Sequence, residues 1–202
     1  FMARIGASSL AISSLAALPS LVSVLLSLPA GQHLQRRRDY VALATRFGLL
    51  TRAGYLLLAV LPFLPMDALP ALIVAAVVLQ MVPNVYAWLA AVTVVGGIVS
   101  PANRPALHGI RWALGGITAA LAAALFGQFL DAELLPFPLN YQALFLISGL
   151  AGVAGLFFFR RIELEEPPPA ERPKPASLRQ LLAPLRDTPA FSRYLLASFC
   201  VR

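Results

Sequence analysis

From residue 71 to residue 99 the chain carries no charged side chain. About 20 apolar residues suffice to cross the roughly 30 Å hydrocarbon core of a bilayer. A soluble domain rarely buries such a helix on every side, so this stretch predicts a membrane span. Gln80, Asn84 and Tyr86 lie inside it, and Pro83 stands between the two amides. Proline has no N–H, so the Leu79 carbonyl loses its helical donor and a kink near the middle is expected. Polar side chains at membrane depth are costly unless partnered. Gln80 and Asn84 are therefore candidates either for a bond between helices or for contact with a solute.

Other apolar regions flank this one, at residues 5–28, 53–64, 113–130 and 143–159. The region 53–64 is short and must borrow flanking residues to cross. Of 202 residues, 59% are apolar and only 12% charged, whereas soluble domains carry about 25% charge. The class that follows is an all-α, polytopic membrane bundle. The net charge of +7 by itself would admit a nucleic-acid partner. Its distribution argues against one, because the basic residues punctuate connections rather than forming a continuous face.

With the first span running inward, residues 32–52 face the cytoplasm with Arg36, Arg37, Arg38, Arg46 and Arg52. Residues 66–70 then face out with Asp67, and residues 100–111 face in with Arg104 and Arg111. Asp131 and Glu133 mark the next outer loop, and Arg160 and Arg161 close the last span on the inside. This is the positive-inside alternation. Arg4, at the extreme start, departs from it.

Along the first region, Ser9, Ser13, Ala16, Ala17 and Ser20 form a small-residue face suited to close helix packing. Their hydroxyls can bond back to the preceding turn, so they do not mark a pore. Pro19 predicts a bend, and Pro29, Ala30 and Gly31 are expected to end the span. His33 has no companion ligands, and no metal site is expected. Pro62 and Pro65 end the second span. Gly116, Ala120 and Ala124, with Ala119, Ala123 and Gly127 beside them, make a second close-packing face. Gln128 lies near its far end. Asn140, Tyr141 and Gln142 cluster at the outer mouth of the last span, followed by a narrow face of Gly149, Gly152 and Gly155.

From Glu163 the composition turns charged and proline-rich, with Pro167, Pro168 and Pro169 favouring extended backbone. The expected organisation is a transmembrane bundle over 1–162, a cytoplasmic linker over 163–190 and the start of a further bundle over 191–202. Leu178, Leu181, Leu182 and Leu185 recur at helical spacing within that linker. The chain begins at Phe1 and breaks off after a new apolar run, so both ends look cut. Cys200 is the sole cysteine, which excludes an intrachain disulfide framework. No cofactor is called for. The spans hold no paired carboxylates, histidine cluster or activated nucleophile, so the chain does not read as an enzyme.

The stretch VPNVYAWLAAVTVVGGIVSPANRPALHGIRWALGGITAALAAALFGQFLD, continued by LPFPLNYQALFLISGLAGVAGLFFFRRI, resembles helices four to six of a major facilitator superfamily transporter from a bacterial branch. On that resemblance the chain covers helices two to six and the central linker. A second helical bundle of the same polypeptide is then the implied partner, alongside the lipid bilayer and an unidentified small solute, in a bacterial plasma membrane. The resemblance implies alternating access, secondary active or facilitative, by one bundle rocking against the other. A non-transporting scaffold or sensor is the alternative.

Gln80, Asn84, Gln128 and Asn140 are the candidates for the substrate route on this reading. Gly31 and Arg36 match parts of the family's Gly, acidic, basic motif between helices two and three. Gln35 stands at its acidic position and Arg38 at its following glycine, so the inner-gate salt bridge lacks its carboxylate. Arg104 matches the basic residue of the turn after helix four. Arg104 and Arg111 are expected to hold cytoplasmic helix ends, through helix carboxyl ends or acidic partners. No Asp, Glu or Lys lies deep within the five spans, which weakens proton coupling through this half.

Overall fold

The computed structural model describes residues 1–63, 68–164, 187–189 and 193, and the described residues are helical with no strand. Five helices are long and apolar enough to cross a membrane. They are α1 (Ser9–Leu34), α2 (Tyr40–Val60, extended by a 3-10 turn Leu61–Phe63), α3 (Leu69–Ile98), α4 (Arg104–Asp131) and α5 (Leu139–Phe159). All belong to one compact unit, Phe1–Glu166, and Pro167–Arg202 is a separate unit. The expected helix near Leu178–Leu185 lies outside the described residues.

Two apolar clusters fix how the helices run. At one end, Met2, Leu58, Leu61, Leu69 and Ile73 pack together, with Phe145 beside them. These come from the chain before α1, the end of α2, the start of α3 and the start of α5. At the other end, Leu34, Ala44 and Ala90 pack together, joined by Tyr40 and Phe159. Thus α1, α3 and α5 run one way and α2 runs against them, as short connections between antiparallel neighbours require. Arg4 lies over the Tyr141 ring at 5.8 Å, which places the start of the chain beside the start of α5.

The first two spans differ from expectation. Helix α1 continues through Pro29 to Leu34 with both Pro19 and Pro29 inside it. A single proline removes one backbone bond, and burial of Ala30 and Leu34 in the bundle holds the helix beyond it. Helix α2 starts at Tyr40 rather than near residue 53. The stretch 32–52 is therefore not a cytoplasmic segment. The connection shrinks to residues 35–39, and Arg46 and Arg52 belong to the span. A length of about 20 residues is needed to cross, and the region 53–64 supplies too few.

The α2–α5 interface is a close antiparallel register set by glycines. A Cβ at Gly48 would meet Leu156 Cδ2 at 2.7 Å. At Gly149 it would meet Leu56 Cδ2 at 3.2 Å and Tyr55 Cβ at 3.5 Å, and at Gly152 it would collide with the Arg52 side chain. As positions rise along α2 they fall along α5. Gly155 has open space and takes no part. Gln80 ties α3 to α2 by donating from Nε2 to the Thr51 carbonyl at 2.8 Å. Ser13, Ser14, Ser20 and Ser27 all donate to carbonyls four residues back, so none needs a partner across the bundle.

Helix α4 is different. It has no buried residue, and Gly116 and Gly127 face open space. No described residue covers its small-residue stripe.

Candidate functional site

The centre of α3 is where backbone and side-chain polarity meet. Pro83 lies inside the helix, so Leu79 keeps its carbonyl without the usual donor. Gln80 turns toward α2. Asn84, one turn on, is exposed, and among the described residues it donates only to the Met81 sulfur at 3.3 Å. A thioether is a weak acceptor, which leaves the Asn84 amide available to a better partner.

Asn84 lines a cavity of about 220 Å³ between α2, α3, α4 and α5. Small residues open it: Ala44 and Gly48 on α2, Ala87 and Ala91 on α3. Leu156 and Phe159 of α5 form its apolar wall, and Arg52 and Arg111 also line it. No carboxylate lines it among the described residues.

Arg52 stands midway along the Tyr40–Phe63 span, about 18 Å from its Tyr40 end at ~1.5 Å per residue. An arginine at that depth costs about 2.5–3.5 kcal/mol on insertion scales. The side chain is held laterally. It packs on Gly152 of α5, and its guanidinium carbon lies 5.6 Å from the Tyr55 ring centroid. Glycine at 152 is what leaves room for the guanidinium. Arg111, about 10 Å into α4 by the same rise, crosses to α3 and sits 4.9 Å over the Trp88 ring. Cation–π contact of this kind holds a guanidinium without neutralising it. Among the described residues neither arginine forms an ion pair or a hydrogen bond.

The remaining candidates fall elsewhere. Gln80 lies on a separate, apolar groove of about 390 Å³ with Phe47, Leu57, Leu79 and Pro83, and its amide is bonded between helices. Gln128 is exposed on α4. Asn140 is buried, 4% exposed, and its Oδ1 accepts from the Tyr141 N–H at 2.9 Å. Its neighbour Gln142 is also buried and its Nε2 has no partner among the described residues. Of the substrate-route candidates, only Asn84 lines the cavity that holds the two arginines.

Of the cytoplasmic candidates, Gly31 lies within α1 with open space around it, and Arg36 is exposed on the α1–α2 connection. Arg104 caps α3, donating from Nε to the Val99 carbonyl at 3.1 Å and from Nη2 to the Gly96 carbonyl at 2.6 Å. Both carbonyls are orphans of a helix C-terminus, where a cation is favoured. Arg111 makes no such cap. A basic mouth of about 480 Å³ lies at the same end, lined by Arg38, Asp39, Arg46 and Arg160 among others. No group of three metal-ligating side chains occurs among the described residues.

Arg52 lines the cavity, whereas the charge pattern of the sequence places it in a cytoplasmic connection. The signal was the shortness of the region 53–64, since a full crossing must reach back past Arg52.

A family model described as Major Facilitator Superfamily matches residues 1–202. No curated protein and no solved structure matches the chain.

Proposed function

The chain belongs to the major facilitator superfamily, and on that premise we propose that it carries a small solute across the membrane by alternating access. It is an integral membrane protein built as part of that superfamily's helical fold, and transport is the general activity of the family. The observation that supports the finer reading is the cavity at Asn84. It lies at membrane depth, its lining includes Asn84, whose amide has only a thioether acceptor among the described residues, and it adjoins Pro83 inside α3. A second helical bundle of the same polypeptide is the partner such a mechanism uses. In this proposal residues 163–190 link the bundles, residues 191–202 begin the second, and the protein sits in a bacterial plasma membrane. Asn84 belongs to the route, Arg104 braces the cytoplasmic turn, and Arg36 lies at the inner mouth near Gly31.

Cysteine accessibility tests the mechanism. Ala87→Cys places a thiol on the cavity wall. Alternating access predicts slow labelling by a membrane-impermeant maleimide from either side, and a transported solute changes the ratio of the two rates. Labelling from one side only, at a rate no solute alters, contradicts it.

A further inference from the structure

We propose that the basic mouth at the Tyr40 end of α2 binds the headgroup of an anionic phospholipid. The lipid phosphate meets Arg46 and Arg160, and the acyl chains run along the exposed apolar face of α2.

The charge of the mouth and the helix register bring the donors together. Its volume of about 480 Å³ falls within the ~300–1,000 Å³ of ligand sites. Arg38, Arg46 and Arg160 line it, and Asp39 is the only carboxylate among the described lining residues. Gly48 of α2 faces Leu156 of α5, and Gly152 faces Arg52. Continued one turn toward the mouth, that register sets residue 44 opposite residue 160. Ala44 and Phe159 share an apolar cluster, as it requires. The Arg160 backbone is still helical, with φ −63° and ψ −14°. Arg46 stands two positions from residue 44, so Arg46 and Arg160 differ by about 3 Å in height at ~1.5 Å per residue. They are thus side by side on adjacent helices and line one cavity. Arg160 lies 5.0 Å over the Phe157 ring, a contact that holds the guanidinium without neutralising it. Among the described residues neither guanidinium forms an ion pair or a hydrogen bond.

The surroundings favour a lipid over a soluble anion. Arg46 lies about 9 Å into α2 by the same rise. Leu49, Leu50, Ala53 and Leu57 continue its helix face, and all four are exposed. Phe157 and Phe158 are exposed just inside Arg160. On membrane-spanning helices such apolar surface is covered by lipid tails. The basic mouth therefore opens at the edge of a tail-covered face, at the level of a phospholipid's phosphate. A guanidinium fork pairs with two phosphate oxygens, and basic pockets between spans on the cytoplasmic side suit anionic headgroups. A soluble phosphate gains nothing from the adjoining apolar face.

The test uses the purified full-length protein in an uncharged detergent. Thermal unfolding is measured against added phosphatidylglycerol, phosphatidylcholine and glycerol 3-phosphate, the last a headgroup without tails. Phosphatidylglycerol raises the unfolding temperature saturably, and the other two at equal concentration do not. Arg46→Gln and Arg160→Gln each weaken phosphatidylglycerol about tenfold, as expected for losing one charge-assisted hydrogen bond. Arg37→Gln and Arg161→Gln remove the same charge from the same end outside the mouth, and they leave that affinity nearly unchanged. All four arginines are exposed, so none of these variants empties a core position. The proposal is overturned if phosphatidylglycerol does not stabilise the protein. Equal weakening by all four variants also overturns it, because that is diffuse attraction to a basic surface. Stabilisation by glycerol 3-phosphate with the same arginine dependence makes the mouth a soluble-anion site and overturns the lipid. Stabilisation that appears only after Glu165→Gln with Glu166→Gln assigns the mouth to the chain's own carboxylates instead.

Discussion

Gln80 and Asn84 are four positions apart on α3, so they share a helix face, and yet they have different surroundings. Gln80 reaches a backbone carbonyl of α2, whereas Asn84 reaches only a sulfur and borders the cavity. Substitution separates the two roles. Gln80→Leu removes a bond between membrane helices worth about 0.6 kcal/mol and at most ~1.7. It lowers unfolding stability by that amount in detergent and leaves solute affinity unchanged. Asn84→Leu is predicted to act the other way, reducing transport severalfold while insertion and unfolding temperature stay near those of the parent. Unchanged flux at normal expression removes Asn84 from the route. The sequence showed both amides at membrane depth, but it did not distinguish them. The distinction depends on the Thr51 carbonyl, which comes within reach only once α2 is in place.

At the scale of elements, the α2–α5 pair carries Arg52 into the bundle. Its spacing rests on Gly48, Gly149 and Gly152. A Cβ on Gly149 would lie 3.5 Å from the Tyr55 Cβ, within the ~3.5–4.5 Å range of disulfides. The double variant Tyr55→Cys with Gly149→Cys is expected to cross-link on mild oxidation, read as a mobility shift after gel electrophoresis. Tyr55→Cys with Gly155→Cys is expected not to, because Gly155 faces open space. Gly152→Val adds a side chain where the Arg52 guanidinium now lies, and it is predicted to lower the unfolding temperature by forcing Arg52 out of the α2–α5 interface. Thermal unfolding in detergent decides that outcome.

The elements themselves were unevenly legible in the sequence. The uncharged stretch 71–99 became Leu69–Ile98, and the apolar region 143–159 became the end of Leu139–Phe159. In both cases charge or proline marks the boundary. Helix α2 was misread because Arg46 and Arg52 interrupt its apolar count. A span tolerates such residues when a long stem carries the charge to the surface or a neighbouring helix makes room for it. Arg46 lines the basic mouth, and Arg52 has the space left by Gly152. Neither accommodation is visible in one helix's sequence. The stripe on α4 is expected from the sequence to be a packing face, and among the described residues nothing packs on it.

For the whole molecule, the charge on its connections predicts an orientation in the membrane. Arg36, Arg37 and Arg38 lie on the connection before α2, and Arg160 and Arg161 follow α5, at the end where Leu34, Ala44 and Ala90 cluster. Asp131 and Glu133 close α4 at its other end. The positive-inside rule predicts that the Arg104 cap and the basic mouth face the cytoplasm. Single cysteines replacing Arg37 and Glu133 are predicted to label from opposite faces of intact cells, Glu133→Cys from outside. The superfamily and the all-α bundle were legible in the sequence as a whole. The candidate cavity was legible only in part, since Asn84 stands out locally whereas bringing Arg52 and Arg111 to its lining requires three helices to be placed.

Solute flux into vesicles reconstituted with the full-length protein tests the central claim most directly. Solutes that stabilise the protein are taken up saturably, protein-free vesicles take up none, and Asn84→Leu reduces the rate severalfold at equal protein incorporation. Folded, stabilised protein that moves no solute in either direction contradicts the claim.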